Sequence, residues 1–140
     1  MHTILGAGGV IAVELAGELL SRGEKVRLVS RRASPHPGAE VVAADLTDAA
    51  QTLASVDGSS LVYLVAGLPY RTALWQQQWP RVMRNTLEAC KRADAKLVFF
   101  DNVYAYGRVE GPMTEATPFN PCRDKRGHVV TIDRAALKRR

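Results

Sequence analysis

The sequence predicts an α/β fold, a doubly wound parallel sheet of at least five strands flanked by helices. Three observations indicate this fold class. Short β-branched and aliphatic runs recur along the chain, segments with helical spacing of apolar residues separate most of them, and a glycine-rich turn follows the first run. Because the crossovers between parallel strands are right-handed, we expect helices on both faces of the sheet.

The apolar pattern changes period repeatedly between the spacing of strands and that of helices. The fourth apolar run, LVYLV, is continuous, which is typical of a strand buried on both faces. We expect five strands, at His2–Leu5, Lys25–Val29, Glu40–Ala44, Leu61–Val65 and Lys96–Phe100.

Helical spacing of apolar residues predicts the elements between these strands. Thr47 is the expected N-cap of the second helix. Pro80 lies inside the third, where it must kink the helix or begin a second one because it has no N–H to donate. The predicted helices are Val10–Arg22, Thr47–Ser55, a long helix around Trp75–Cys90 and a weaker one at Val129–Leu137, with loops at Ala33–Gly38 and Gly107–Pro121.

The first strand leads into GAGGVIA, which has three glycines within four residues and opens a helix. Gly6 allows a sharp turn, and Gly8 or Gly9 leaves no side chain between the backbone and a pyrophosphate. Ala12 is small enough for the helix to lie close to the sheet. The helix N-terminus then offers free N–H groups to an anion. This context predicts a Rossmann-like dinucleotide site, and a merely tight strand-to-helix turn is the alternative.

The end of the second strand indicates which dinucleotide binds. NAD sites usually place an Asp or Glu there to accept from the ribose 2′-hydroxyl. This chain has Ser30, Arg31 and Arg32 instead. An arginine pair can hold a 2′-phosphate through charge-assisted hydrogen bonds, so NADP is favoured over NAD. In the alternative, one or both arginines only face water.

Composition and charge narrow the range of partners. No apolar run reaches the roughly 18 residues that span a membrane, so we expect a cytoplasmic protein with no membrane partner. The net charge is +5, but the basic residues are scattered and no aromatic residues interleave with them. We therefore expect no nucleic-acid partner. Two cysteines without a C-x-x-C pair and three distant histidines predict no metal site.

Several of these segments, in this order and spacing, resemble the extended short-chain dehydrogenase/reductases of the NAD-dependent epimerase/dehydratase group. The resemblance extends from residue 3 to about residue 137. Gly6-x-x-Gly9-x-x-Ala12 is similar to the glycine motif of that family. Asp45-Leu46 resembles an Asp-hydrophobic pair that contacts adenine, and Leu64–Gly67 resembles a run that lines the cofactor. Further similar segments are Asn85–Ala89 in the long helix, Asp101–Gly107 after the fifth strand and Thr114–Pro121 in the following loop.

The glycine motif and the resemblance together imply a cofactor site at the ends of the first four strands. We expect it to contain Gly6, Gly9, Val10, Ile11, Ala12, Arg31, Arg32, Asp45, Leu46, Ala66 and Gly67.

The chain departs from the family at the catalytic residues. The family uses a tyrosine whose phenol exchanges a proton with the substrate, and a lysine four residues later that lowers its pKa. None of the four tyrosines here has a lysine at that position, and the expected segment, Cys122–His128, reads CRDKRGH. The remaining candidates are Asn102 as an oxyanion donor, Tyr104 as an acid and Lys125 as a charge partner. Each also has a structural alternative, as a loop cap, a packing residue or a solvated charge.

The sequence thus predicts a single NAD(P)-binding Rossmann domain over residues 1–140, without the C-terminal substrate lobe of the family. It predicts an oxidoreductase with an altered active site that acts on a small carbonyl, hydroxyl or sugar-nucleotide substrate. A non-catalytic NADP-binding sensor or interaction module is the alternative. The resemblance further implies a homodimer, formed by packing the helix around Trp75–Cys90 against its mate.

Overall fold

The computed structural model of the chain describes residues 1–32 and 34–120. They fall into two compact units, Met1–Phe100 and a second that begins at Asp101. No helix in this part of the chain is long and apolar enough to cross a membrane. The first unit consists of β1 (His2–Leu5), α1 (Val10–Ser21), β2 (Val26–Ser30), β3 (Glu40–Ala43), α2 (Ala49–Val56), β4 (Leu61–Leu64), α3 (Thr72–Arg92) and β5 (Lys96–Phe99).

The five strands form one parallel sheet in the order β3-β2-β1-β4-β5. This architecture confirms the predicted fold class. The chain first winds from β1 towards β3 and then returns to place β4 on the other side of β1. The strand order therefore reverses between β1 and β4, and a crevice at their carboxyl ends is where such sheets bind ligands.

The helices cover the two faces of the sheet unequally. On one face α1 packs on β1 and β2, in a core of Ile4, Ala12, Ala16, Leu19, Val26 and Leu28. On the opposite face the Trp79 ring of α3 meets the Phe99 ring of β5 edge-on, with centroids 6.3 Å apart. In β4, Val62 and Leu64 are fully buried, whereas Leu61 and Tyr63 are half-buried. The expectation that LVYLV is buried on both faces is therefore correct for one face only, because α1 lies mainly over β1 and β2.

The N-cap of α2 is Asp48, one residue after the predicted Thr47. The Asp48 carboxylate accepts from the backbone N–H of Gln51 at 2.9 Å. Thr47 instead directs both its N–H and its hydroxyl to the carboxylate of Asp45. The prediction of Thr47 is wrong because the Thr47 hydroxyl is already used within the turn, and a carboxylate is the better partner for a helix N-terminus.

The third helix is continuous from Thr72 to Arg92, with Pro80 inside it. The alternative in which Pro80 begins a second helix is therefore wrong. Pro80 removes the helical partner of the Gln76 carbonyl, and both residues are exposed, so water can satisfy that carbonyl. The apolar stripe of the helix is buried inside the chain through Trp79, Val82, Met83, Thr86, Ala89 and Cys90.

The second unit begins with a short 3-10 helix, Val103–Tyr106, and continues through turns. The rings of Tyr106 and Phe119 pack with centroids 5.1 Å apart. The Thr114 N–H donates to the hydroxyl of Thr117 at 2.8 Å. The predicted helix at Val129–Leu137 lies outside the described residues.

Candidate cofactor site

The cofactor residues expected from the sequence all lie where four neighbouring strands end. Gly6–Ala12 follows β1, Arg31 and Arg32 follow β2, and Asp45-Leu46 comes just after β3. Ala66 and Gly67 come just after β4. Because the strands are parallel and adjacent, their carboxyl ends meet at one edge of the sheet. The fold therefore brings these segments to a single edge.

The glycine turn after β1 is held between β2 and β4. The N–H groups of Gly6 and Ala7 both donate to the Val29 carbonyl at 2.9 Å. Gly6 has a φ of 103°, and a Cβ at this position would overlap the backbone of Ala66. Gly6 is thus required for two reasons, a left-handed backbone conformation and the close approach of the loop that follows β4.

The next two glycines leave open space at the start of α1. A Cβ built on Gly8 or Gly9 meets no atom within 4 Å. Gly9 is the N-cap of α1, no side chain caps the helix, and its first turn contains no acidic residue. The unpaired N–H groups of the first turn and their partial positive charge therefore face a region that a phosphate could occupy.

The three residues after Gly9 divide between surface and core. Ala12 is 2% exposed and packs in the core under α1, as its size predicts. Val10 is 78% exposed and Ile11 is 42% exposed. These apolar side chains at the mouth of the turn could contact a bound ligand, whereas Ala12 brings the helix close to the sheet.

Side chains of opposite charge lie near each other where β2 and β3 end. Arg31 and Arg32 are exposed, and the Arg32 carbonyl accepts from the Ser30 hydroxyl at 2.6 Å. Two hydrogen bonds from Thr47, the larger effect from its N–H and the next from its hydroxyl, lower the pKa of Asp45. The positive charge of Arg31 lowers this pKa further. Arg31 therefore lies close enough to Asp45 to favour its ionised form.

Polar side chains to which the sequence analysis assigned no role in the cofactor site hold the turn after β3. The Asp45 N–H donates to the Gln51 side-chain oxygen at 2.9 Å. The Leu46 carbonyl accepts from the Thr52 hydroxyl at 3.2 Å and from the Asn85 amide at 3.0 Å. The capping pattern Asp48-x-x-Gln51 could have indicated Gln51, whereas no local signal pairs Asn85 with a turn 39 residues earlier.

The catalytic candidates belong to a different part of the chain. The Asn102 backbone N–H donates to the Asp101 carboxylate at 2.8 Å, at the start of the second unit. Tyr104 lies in the short 3-10 helix of that unit. Lys125 lies outside the described residues. Within residues 1–32 and 34–120, no group of three or more His, Cys, Asp or Glu side chains could hold a metal ion.

The structure of this chain is similar to several solved structures. A short-chain dehydrogenase/reductase superfamily protein from Agrobacterium tumefaciens with bound NAD is 25% identical, with a TM-score of 0.76 over 87% of this chain and 39% of that protein. MoeE5 in complex with UDP-glucose and NAD is 26% identical, with a TM-score of 0.71 over 86% and 42%.

A third similar structure supports the fold alone. WbmG from Bordetella bronchiseptica, in complex with NAD and UDP, is 21% identical, with a TM-score of 0.74 over 86% of this chain and 44% of that one. This chain thus spans less than half the length of each of the three structures.

Comparison with curated proteins gives no match. Comparison with protein families gives a match to the NAD dependent epimerase/dehydratase family over residues 2–128, which is most of the chain. On this evidence the chain belongs to the NAD-dependent epimerase/dehydratase family.

Proposed function

We propose that this chain binds a nicotinamide dinucleotide at the carboxyl edge of its sheet and serves as the cofactor-binding part of an oxidoreductase. The observation that carries the proposal is the glycine turn, in which Gly8 and Gly9 leave open space before an uncapped helix N-terminus. A pyrophosphate fits that chemistry because backbone N–H groups and a helix dipole both favour negative charge. The NAD named in the similar structures supports the same assignment.

Arg31 and Arg32 would select NADP over NAD. No acidic residue ends β2, where NAD sites usually accept from the ribose 2′-hydroxyl. Both guanidinium groups are exposed and could pair with a 2′-phosphate. Asp45 lies near Arg31, but its carboxylate already accepts two hydrogen bonds from Thr47. In line with the resemblance of Asp45-Leu46, we assign it to the adenine end, where the carboxylate oxygen that does not bond to Thr47 can accept a further hydrogen bond.

The substrate class that we favour is a sugar nucleotide, with other small carbonyl or hydroxyl compounds as alternatives. The UDP-glucose in the MoeE5 complex supports this choice. Asn102 would donate to a substrate oxygen, Tyr104 would act as the acid and Lys125 would supply a positive charge. The missing tyrosine-lysine pair favours a second candidate function, a non-catalytic NADP-binding sensor or interaction module.

A thermal-shift titration with NADP⁺ and NAD⁺ in parallel tests cofactor binding. A ligand at about a hundred times its Kd stabilises the fold by about 2.7 kcal/mol. Gly9→Ala should fold, because Gly9 has an ordinary φ of −87° and open space, yet its methyl group would occupy the phosphate position. Gly17→Ala, on the exposed side of α1, is the matched control. A full response in Gly9→Ala, or no response in the unmodified chain, contradicts the proposal.

Arg31→Ala tests cofactor selection in the same titration. We expect it to reduce the response to NADP⁺ and to leave the response to NAD⁺ nearly unchanged, since only NADP⁺ carries the 2′-phosphate. An equal loss for both ligands would assign Arg31 to another part of the cofactor.

Hydride transfer separates the enzyme from the sensor. Oxidation or reduction of the cofactor is followed with a panel of sugar nucleotides and simple ketones. Asn102→Ala and Tyr104→Phe should reduce turnover while the cofactor Kd is kept. Binding without turnover by the unmodified chain would favour the sensor, and full turnover in both variants would remove the two residues from the reaction.

A further inference from the structure

Asn85 reaches from α3 to the turn that follows β3. Its side-chain amide donates to the Leu46 carbonyl at 3.0 Å, and Asn85 itself is half-buried. The same carbonyl accepts from Thr52 of α2 at 3.2 Å. Two helices thus hold one carbonyl, which sets the direction of the Leu46 peptide group.

The other hydrogen bonds of this turn are local. Asp45 bonds to Thr47 and Gln51, and Asp48 donates its N–H to the Asp45 carbonyl at 2.9 Å. These contacts determine the internal shape of the turn and join it to α2. In the described part of the chain, the bond from Asn85 is the one that ties residues 45–47 to a more distant element. Asn85 therefore fastens the turn directly to α3.

We propose that Asn85 is a positioning residue for the adenine end of the cofactor site. This inference rests on the proposed cofactor-binding function. An ionised Asp45 is suited to accept from the exocyclic amino group of adenine, and such a hydrogen bond weakens steeply as its geometry departs from alignment. By holding the Leu46 carbonyl, Asn85 keeps Asp45 in the alignment that recognises this amino group.

The test compares cofactors that differ only at that amino group. NADP⁺ and NAD⁺ are each titrated beside the analogue in which hypoxanthine replaces adenine, so that a carbonyl oxygen stands where the amino group was. We expect the unmodified chain to bind the adenine compound about tenfold more tightly, the effect of one hydrogen bond to a charged group. Equal binding of the two compounds overturns the inference.

Asn85→Asp replaces the donor amide by an acceptor of the same shape. We expect the preference for adenine to fall below about threefold, because the carboxylate repels the Leu46 carbonyl and displaces the turn. A general effect of the new charge on phosphate binding cancels in the ratio, since both ligands carry the same phosphates. A preference that stays at its original value in this variant overturns the role of Asn85.

Thr86→Val is the matched control on the same helix. Thr86 is fully buried, and within the described residues its hydroxyl has no hydrogen-bond partner, so its loss should leave the preference unchanged. A preference lost in Thr86→Val as well would show a merely structural effect and overturn the inference. If Asn85→Asp does not fold, Asn85→Ser, whose hydroxyl is too short to reach Leu46, should lose the preference.

The outcomes also separate this inference from the proposed function. If the unmodified chain binds neither adenine dinucleotide, both fail. If the unmodified chain prefers adenine over hypoxanthine and Asn85→Asp keeps that preference, only the positioning role of Asn85 fails.

Discussion

Gly6 and Ala66 approach each other so closely that no side chain fits between them. A Cβ on Gly6 would overlap the Ala66 backbone, and the Gly6 φ is 103°. This contact joins the loops after β1 and β4, the two strands between which the strand order reverses. The crevice of the proposed cofactor site therefore depends on a glycine that need not touch the ligand.

Gly6→Ala should strongly destabilise the protein. We expect a loss of at least about 3 kcal/mol in the free energy of unfolding, from a left-handed backbone conformation and an overpacked contact. Gly17→Ala, in the middle of α1 with open space around it, should instead stabilise the protein by about 0.5–1 kcal/mol. Urea denaturation of both variants measures these changes. A Gly6→Ala protein as stable as the original would show that the two loops can separate at little cost.

Arg27→Ala should lower the free energy of unfolding more than the removal of an ordinary surface ion pair does. Arg27 Nη1 donates to the Ser55 and Asp57 carbonyls at 3.0 and 2.7 Å, at the end of α2. Its Nε lies 3.0 Å from the Glu40 carboxylate, in an ion pair without the alignment of a hydrogen bond. The side chain is 14% exposed.

We expect Arg27→Ala to cost about 2 kcal/mol, because two backbone carbonyls lose a charged donor and the contact with Ser55 is partly buried. Arg92→Ala, which breaks an exposed pair with Glu88 on α3, should cost only about 0.3–0.5 kcal/mol. Chemical denaturation measures both. Similar losses in the two variants would mean that the burial of Arg27 adds nothing to its contacts.

Cys90 should react only when the protein unfolds. Burial in α3 raises the pKa of this thiol to about 11, so little thiolate forms near neutral pH. In a Cys122→Ser background, we expect labelling by a thiol reagent to follow the unfolding transition in denaturant. Cys90→Ser in the same background should take up no label. Rapid labelling without denaturant would show that α3 opens in the native protein.

Asp45 should make a pH-dependent contribution to stability. Hydrogen bonds from Thr47 hold the pKa of Asp45 below its ordinary value of 3.8, so folding favours the ionised form. This contribution is present above about pH 3.8 and is lost as the pH falls through the lower pKa of the folded protein. The difference in unfolding free energy between the original chain and Asp45→Asn should therefore shrink in acid. A difference that stays constant across the pH series contradicts this assignment.

Substitutions at Met83 and Arg84 distinguish two roles of α3, packing inside the chain and contact with a second copy in a dimer. Met83 is 4% exposed, whereas Arg84 is exposed. Met83→Ala should cost about 2–5 kcal/mol and leave the oligomeric mass unchanged. If the predicted homodimer uses α3, it must use the polar side of that helix, and Arg84→Glu should then lower the oligomeric mass measured by sedimentation. Arg84→Ala should barely change the free energy of unfolding. A lower oligomeric mass in Met83→Ala would instead place the dimer interface on the apolar stripe of α3.

The order and type of the elements in residues 1–100 are evident in the sequence. Apolar periodicity predicts all five strands and the three helices between them, because burial on a sheet and burial on a helix impose different repeats. The glycine turn is also visible in the sequence, since only glycine suits a φ above zero beside an open helix N-terminus. Its location after β1 and before α1 is confirmed.

The errors concern competition among neighbouring polar groups. Thr47 and Asp48 are both good N-caps, and the choice depends on the carboxylate of Asp45, which takes the Thr47 hydroxyl. Pro80 shows the same limit, because the cost of its missing N–H depends on whether water reaches the freed carbonyl. Neither the choice of N-cap nor the effect of Pro80 can therefore be predicted from the local spacing of residues.

What the sequence alone determined is therefore the fold class, the glycine turn and the family, all of which depend on residues close together in the chain. Only the tertiary structure decided which distant groups meet. It placed Gly6 against Ala66, Arg31 near Asp45, and the Asn85 amide within hydrogen-bonding distance of the Leu46 carbonyl. The physical reason is that folding of the sheet brings together segments that lie tens of residues apart in the chain. A pattern of neighbouring residues cannot predict contacts between such segments.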